Sequence, residues 1–276
     1  MTTSNRLYNN KTFWDYNNIG QKIQPMKKFL LILAISCLAG RALAQNTADT
    51  LRILTYNVHN NIGMDGTRDY RRIADAISRT SPDLVALQEL DSVTRRNEGV
   101  YALDTLSKLT GMKGFYASAI PYDGGSYGIG ILCRQKPTRI RTMPMPGREE
   151  KRTMLIAEFP DYVFCATHQS LTPEDQVASV ALIAQALEGT DKPAFLAGDM
   201  NALPLDKPQV MLGDYFVTLN DTAAYTFPAD VPDQCLDYIY GYIAHGQHYE
   251  VLQTEVLNEP VASDHRPVRV VVRMSR

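Results

Sequence analysis

Cysteine is scarce in this chain, with four residues in 276, and one of them, Cys37, falls in a segment that reads as a leader. The other three, Cys133, Cys165 and Cys235, lack metal-binding spacing, and their odd number excludes a complete disulfide framework. Cys133 and Cys165 lie in apolar strand-like runs, where a buried thiol serves as a small hydrophobe. Sequence does not choose a pair for a single disulfide. No Gly/Ser/Pro linker, block of like charge or internal repeat divides the chain. No G-x-S-x-G elbow is present, which argues against a serine hydrolase. An extended basic stripe of the kind that tracks duplex DNA is also missing.

The N-terminus is read apart from the fold. Met26-Lys27-Lys28 gives a charged start, Phe29 to Leu38 an apolar run, and Ala42-Leu43-Ala44 a small-residue cleavage site. The apolar run is too short to span a bilayer, which argues against a transmembrane anchor. Residues 1–25 are polar and hold the only tryptophan, Trp14, so Met26 is a candidate start, with a disordered arm as the alternative. Ile35-Ser36 before Cys37 fits an acylation signal poorly, so soluble export, periplasmic or secreted, is expected over a lipoprotein. Residues 1–44 hold six of the 28 Lys/Arg and one of the 30 Asp/Glu, so residues 45–276 carry a formal charge of −7. Such a chain has no generic pull on nucleic acid or anionic membranes. Phosphate binding must then be local and metal-assisted. Those 232 residues fall within the range of about 200–250 that two-sheet proteins reach as one domain, here expected to be monomeric.

Periodicity predicts the elements. "LRILTYNV" (51–58) reads as a strand, "YRRIADAISRT" (70–80) as a helix stopped by Ser81-Pro82, and "DLVALQEL" (83–90) as a strand, together one β-α-β unit. A second helix is expected over about 99–110, ended by Gly111. "YGIGILCR" and "TRIRTMPM" flank Gln135-Lys136-Pro137, while "TMLIAEF" and "YVFCATH" flank Pro160-Asp161; both pairs read as hairpins. Thr172-Pro173-Glu174-Asp175 predicts a helix start with a hydroxyl cap, running to about Leu187 before Gly189. The strands "AFLAGD", "CLDYIYG", "YEVLQTEVL" and "RPVRVVVR" follow. About ten strands with three helices inserted between them imply two packed sheets with helices outside.

Five apolar strands end in polar groups: Asn57 in "TYNVH", Glu89 in "ALQEL", His168 in "CATHQ", Asp199 and Asn201 in "AGDMN", and Asp264 and His265 in "VASDHRP". Asp237 sits inside the apolar "CLDYIYG". Acids in such places are rare without a partner. On an extended chain Asp199 and Asn201 would share a face and offer an acceptor and a donor to one object. Singly, each residue has a blander explanation as a cap, turn residue or satisfied structural histidine. As an ordered set they point to one site.

With "TYNV", "QEL", "TH", "GDMN" and "SDHRPV" in this order, the chain over about residues 51–274 resembles the endonuclease/exonuclease/phosphatase family, the DNase I-like metal-dependent phosphoesterases. The resemblance implies an α+β four-layer α/β/β/α sandwich of two mixed, mainly antiparallel sheets with outer helices. It implies that Glu89, with Asn57 and Asp264, holds Mg²⁺ (or Mn²⁺), a hard ion that prefers oxygen donors. It implies that Asp199 and Asn201 orient the attacking water and a phosphoryl oxygen, and that His168 and His265 face the phosphate. Asp237 would orient His265, fixing its tautomer. Asn57, Asn201 and His168 would contact substrate. Which histidine is acid or base is left open. One departure is Ile129 in "YGIGIL", where many relatives carry Asn.

The expected activity is hydrolysis of a phosphodiester or phosphomonoester by in-line attack of water. The acidic chain favours a lipid headgroup or sugar phosphate, with a secreted nuclease as the alternative and a non-catalytic binding protein on the same fold as a second. His59 would share the face of Asn57, Arg152 in "EEKRTM" reads as a phosphate contact or a surface salt bridge, and His245 and His248 read as solvated.

Overall fold

Alternation along each strand builds the molecule. The computed structural model describes residues 50–243 and 249–274. The leader within 1–44, His245 and His248 lie outside the described residues. In chain order the elements are β1 (Thr50–Asn57), α1 (Tyr70–Arg79), β2 (Leu84–Ser92), α2 (Ala102–Thr110), β3 (Lys113–Tyr122), β4 (Gly125–Cys133), β5 (Arg139–Met145) and β6 (Arg152–Glu158). They continue with β7 (Val163–His168), α3 (Pro173–Leu187), β8 (Ala194–Asp199), α4 (Lys207–Leu212), β9 (Phe216–Thr218), β10 (Asp237–Tyr242), β11 (Tyr249–Val256) and β12 (Val268–Met274).

Two six-stranded sheets form, in the orders β11-β12-β1-β2-β4-β3 and β5-β6-β7-β8-β10-β9. The β1-α1-β2 unit is parallel, as its crossover helix requires, and so is β7-α3-β8. Leu51 and Ile53 of β1, Leu84 and Ala86 of β2, Phe164 and Ala166 of β7, and Phe195 and Ala197 of β8 fill the space between the sheets. The alternate residues turn outward. Leu54, Tyr56, Val85 and Leu87 pack against Ile73, Ile77, Leu103 and Leu106 of α1 and α2. Cys165, Leu196, Tyr238 and Tyr240 pack in the layer that holds Val180, Ile183 and Leu187 of α3. The four-layer sandwich follows. Each fully buried Ile or Leu contributes roughly 1.5–3 kcal/mol to it.

Local signals account for the helix ends. The Asp69 carboxylate caps α1 by accepting from the backbone N–H groups of Arg71 and Arg72. Gly111 and Gly189 follow α2 and α3 with φ of 68° and 76°, the left-handed region in which a missing Cβ removes the penalty. Thr172, expected as a hydroxyl cap for α3, makes no such bond; its Oγ1 donates to Glu149 Oε2 at 3.0 Å. The three cysteines are free and buried. Among the described residues no helix is long and apolar enough to cross a membrane.

The structure corrects the strand reading in two respects. The described residues form twelve strands where about ten were expected: β3 is an edge strand with mixed exposure and little alternation, and β9 has only three residues. The segments expected to pair across Gln135-Lys136-Pro137 belong to different sheets. β4 pairs with β2 and β3, and β5 with β6. The Pro-containing turn carries the chain from one sheet to the other. The hairpin across Pro160-Asp161 is present as β6 and β7.

Candidate active site

The parity that fills the core also assembles the site. On β7 the residues facing the opposite sheet are 164, 166 and then His168; on β8 they are 195, 197 and then Asp199; on β10 Ile239 is preceded by Asp237. The register places His168 opposite Asp199, and Asp199 opposite Asp237. Three adjacent strands thus set an imidazole and two carboxylates side by side at one rim of the inter-sheet core. Gly198 allows the close approach, because a Cβ there would lie 2.0 Å from the Thr167 carbonyl oxygen. From the facing sheet, β1 follows Leu51 and Ile53 with Thr55 and Asn57, and the Asn57 Nδ2 donates to Asp199 Oδ2 at 3.0 Å.

Glu89 reaches the site through an irregularity. Strict alternation would send it with Val85 and Leu87 beneath the helices. Instead β2 bulges between Leu87 and Leu90, and Glu89 takes a left-handed φ of 61°. Glu89 Oε1 thereby accepts from Asn57 Nδ2 at 2.9 Å, while Leu90 returns to the helix side. The bulge was not legible in "LQEL". His59, Asn60, Asn61 and Asn201 also have positive φ, so backbone strain gathers at this rim.

His265 arrives on the loop before β12. Ser263 Oγ donates to the Asn57 carbonyl at 2.7 Å and pins that loop to the end of β1. His265 Nδ1 lies 2.8 Å from Asp237 Oδ2; a carboxylate only accepts, so Nδ1 is the donor and the tautomer is fixed. Phe227 packs on the His265 ring with centroids 4.8 Å apart. The Nε2 atoms of His168 and His265 lie 3.5 and 3.7 Å from Asp199 Oδ2.

Burial sets the electrostatics. It raises the Asp199 carboxyl, and Asp237 adds to that while His265 and the hydrogen bonds from Asn201 and Asn57 oppose it. For His265 burial acts downward, but Asp237 and Asp199 outweigh it and hold the proton on the ring. His168 is lowered well below its ordinary value by burial, then by the Arg152 and His265 charges.

The expected face-sharing of Asp199 and Asn201 does not occur. Asp199 ends β8, its Oδ1 accepts the Asn201 backbone N–H at 2.9 Å, and Asn201 turns at φ 49°. One Asn201 amide hydrogen is committed to the Gln169 carbonyl. The two residues are coupled by an Asx turn instead of a strand face. His59 donates its backbone N–H to Asn57 Oδ1, and its ring Nδ1 lies 3.8 Å from Asp264 Oδ2. Asp264 is half-buried, with Oδ1 3.3 Å from Ser263 Oγ, whose proton goes to the Asn57 carbonyl.

Two groups of donors suit a cation. Ligand atoms of Asp199, Asp237 and His265 lie within 4.8 Å of one another, but His265 Nδ1 is committed to Asp237 and Asp199 Oδ2 to Asn57. Glu89 and Glu150 border a cavity of about 220 Å³, lined also by His59, Arg96, Tyr122 and Tyr127. Burial raises Glu150; the Arg152 charge opposes the shift and the Glu89 charge adds to it. A carboxylate aimed at a space that a second carboxylate shares, beside the Asn57 amide, is the hard-oxygen chemistry a divalent ion satisfies. Glu89, bonded to Asn57 Nδ2, borders that space, whereas the Asp264 carboxylate lies against Ser263 Oγ and the His59 ring.

Sequence reading missed Glu150, Tyr127 and Arg96. Arg152, expected in "EEKRTM" as a phosphate contact or a surface salt bridge, is only 7% exposed. Arg96 pairs with the buried Asp91 through Nε and Nη2 and stacks 4.4 Å from the Tyr122 ring centroid. Glu149 has a different use. Its carboxylate accepts from Ser170 Oγ at 2.6 Å, Leu171 N at 2.7 Å and Thr172 Oγ1, tying the loop before β6 to the one after His168. Burial pushes Glu149 up, but these bonds outweigh it and lower it to about 2. A depressed carboxylate stabilises the fold above its unfolded value near 4.5, and that stability is lost as pH falls toward 2. Glu149→Gln is therefore expected to cost about 1 kcal/mol at pH 7, discounted for solvent screening, and to flatten the acid limb of a stability-versus-pH curve. An unchanged acid limb by urea unfolding would refute this.

The Endonuclease/Exonuclease/phosphatase family model matches residues 54–265. No curated protein matches the chain significantly. Solved structures do. An endonuclease/exonuclease/phosphatase from Bacteroides vulgatus is 18% identical with a TM-score of 0.68, over 82% of this chain and 99% of that one. A mannosyl-6-phosphatase from Bacteroides thetaiotaomicron is 17% identical with a TM-score of 0.66, over 80% and 99%. D. rerio TDP2 complexed with single-strand DNA product is 19% identical with a TM-score of 0.65, over 82% and 99%. At these identities the likeness establishes the fold.

Proposed function

Because the chain belongs to the Endonuclease/Exonuclease/phosphatase family, we propose that it is an exported, Mg²⁺-dependent phosphoesterase that hydrolyses the phosphoester of a small alcohol, a lipid headgroup or a sugar phosphate. The observation that carries this is the convergence of Asn57, His168, Asp199, Asp237 and His265 from both sheets onto one rim, with Glu89 tied to them through Asn57.

Asp199 polarises a water for in-line attack, since its Oδ2 is the shared acceptor of the site. His265, oriented by Asp237, carries a proton on Nε2 toward the reacting oxygens. His168 and the remaining Asn201 amide hydrogen face the phosphoryl oxygens, where uncharged donors attract without adding negative charge. A divalent ion held by Glu89 with Asn57 and Asp264, Mg²⁺ or Mn²⁺, supplies neutralisation of phosphoryl charge when bound.

Two features support a small substrate. The formal charge of −7 over residues 45–276 gives a polyanion no track. The cavity beside Glu89, about 220 Å³ with two tyrosines, is below the roughly 300–1,000 Å³ of sites for drug-sized ligands. Both a mannosyl-6-phosphatase and a protein in complex with DNA share this fold. A panel of phosphosugar, phosphoinositide, sphingomyelin and plasmid DNA, with and without Mg²⁺, tests the choice. Turnover of one small substrate about tenfold or more above plasmid nicking is expected. Faster nicking would assign a nuclease, and tight binding without turnover a binding protein. For the leader, we propose export of a monomeric 45–276 domain; cytoplasmic retention of residues 1–44 would refute it.

A further inference from the structure

Arg152 is buried beside His168. Its Nη1 lies 3.2 Å from His168 Nδ1 and 2.9 Å from Glu150 Oε1, and Nη2 lies 3.9 Å from Glu149. A guanidinium donates and never accepts. The contact with His168 Nδ1 is therefore made to a lone pair, and the neutral imidazole carries its only proton on Nε2. That atom faces Asp199 Oδ2 and the phosphoryl position.

We propose that Arg152 is a positioning residue that locks His168 as the neutral Nε2–H tautomer, so that His168 serves the reaction only as a hydrogen-bond donor. The two histidines are thereby set apart by their partners. At Nδ1 His265 meets a carboxylate, Asp237, and donates to it; His168 meets a guanidinium at the same atom and can only accept. The lowered pKa of His168 agrees, its causes being burial followed by Arg152 and His265. Glu150, with Glu149 farther off, balances the charge of the buried guanidinium. Ile129, beside Glu150, Arg152 and His168, adds no competing polar partner. The catalytic consequence rests on the proposed hydrolysis, but the tautomer does not.

Long-range ¹H–¹⁵N correlation spectra of the full chain with ¹⁵N-labelled histidine read the tautomer directly. For His168 at neutral pH, a protonated Nε2 and a bare Nδ1 are expected. Arg152→Lys keeps a donor and should keep the tautomer. Arg152→Met should release it to a mixture and reduce kcat about 10- to 100-fold, with KM moving less. If Arg152→Met unfolds, Arg152→Met with Glu150→Gln removes both charges together. An Nδ1–H or doubly protonated His168 in the wild type would overturn the assignment, as would unchanged His168 signals in either methionine variant. The expected tautomer in a protein that hydrolyses nothing would leave Arg152's role standing and sink the proposed function instead.

Discussion

Asp199→Asn should lower kcat about 10³-fold while leaving the protein folded. The estimate follows from general-base contributions of about 10²–10⁴ and from the position of the group. Asp199 Oδ2 accepts from Asn57 Nδ2 and lies within 3.7 Å of both histidine Nε2 atoms, so it is the acceptor on which the site converges. An amide keeps the shape but not this capacity. Oriented with Oδ1 toward the Asn201 N–H, it points an NH₂ at the Asn57 NH₂; rotated, it opposes the Asn201 N–H instead. One donor–donor conflict costs about 1–3 kcal/mol. Removing a buried carboxylate beside Asp237 offsets part of that, because burial and Asp237 both disfavour its charge. The thermal midpoint should therefore move by only a few degrees, which separates loss of chemistry from loss of fold. Stopped assays at saturating substrate with a melting curve on the same sample check both. Full activity in Asp199→Asn would remove this residue from the mechanism.

How much of this was legible in the sequence can be argued residue by residue. The sandwich was, because Leu51, Ile53, Leu84, Phe164 and Phe195 keep a period of two and the three longer helices a helical period, and periodicity survives without knowledge of partners. His168 and Asp199 were legible as polar residues closing apolar strands, and Asp237 as an acid inside one. Their alignment needed the register of β7, β8 and β10, which no single strand encodes. Glu89 was found for its residue type, although its strand parity was wrong for the site; the bulge that corrects it arises from pairing two residues of β2 against one of β4. Asn201 was found for its spacing, although its backbone leaves the strand. Arg152 was ambiguous because a basic residue in a charged run is usually solvated, and only the fold buries it.

Glu89→Gln should separate the two candidate cation sites. Glutamine preserves volume and can still accept from Asn57 Nδ2 through Oε1, so the bulge and the rim should stand. It removes the negative charge that a hard divalent ion requires. The apparent Mg²⁺ affinity is expected to fall about 10²-fold or more, and kcat at fixed Mg²⁺ to fall with it; chelation of the wild type by EDTA should abolish hydrolysis. A second readout does not depend on turnover. An ion that binds only the folded state stabilises it by about 2.7 kcal/mol at 100 times its Kd, which corresponds to a rise of roughly 5–10 °C in Tm for a domain of this size. Wild-type protein should show that rise on adding Mg²⁺, and Glu89→Gln should not. Asp237→Asn should keep the rise while losing activity, because Asp237 acts on His265 through Nδ1. The opposite pattern, with Mg²⁺ stabilisation lost in Asp237→Asn and kept in Glu89→Gln, would place the ion among Asp199, Asp237 and His265. His265 would then give up either its Nε2 proton or its Nδ1 bond to Asp237 to the ion, and the acid–base role argued for it would have to leave it.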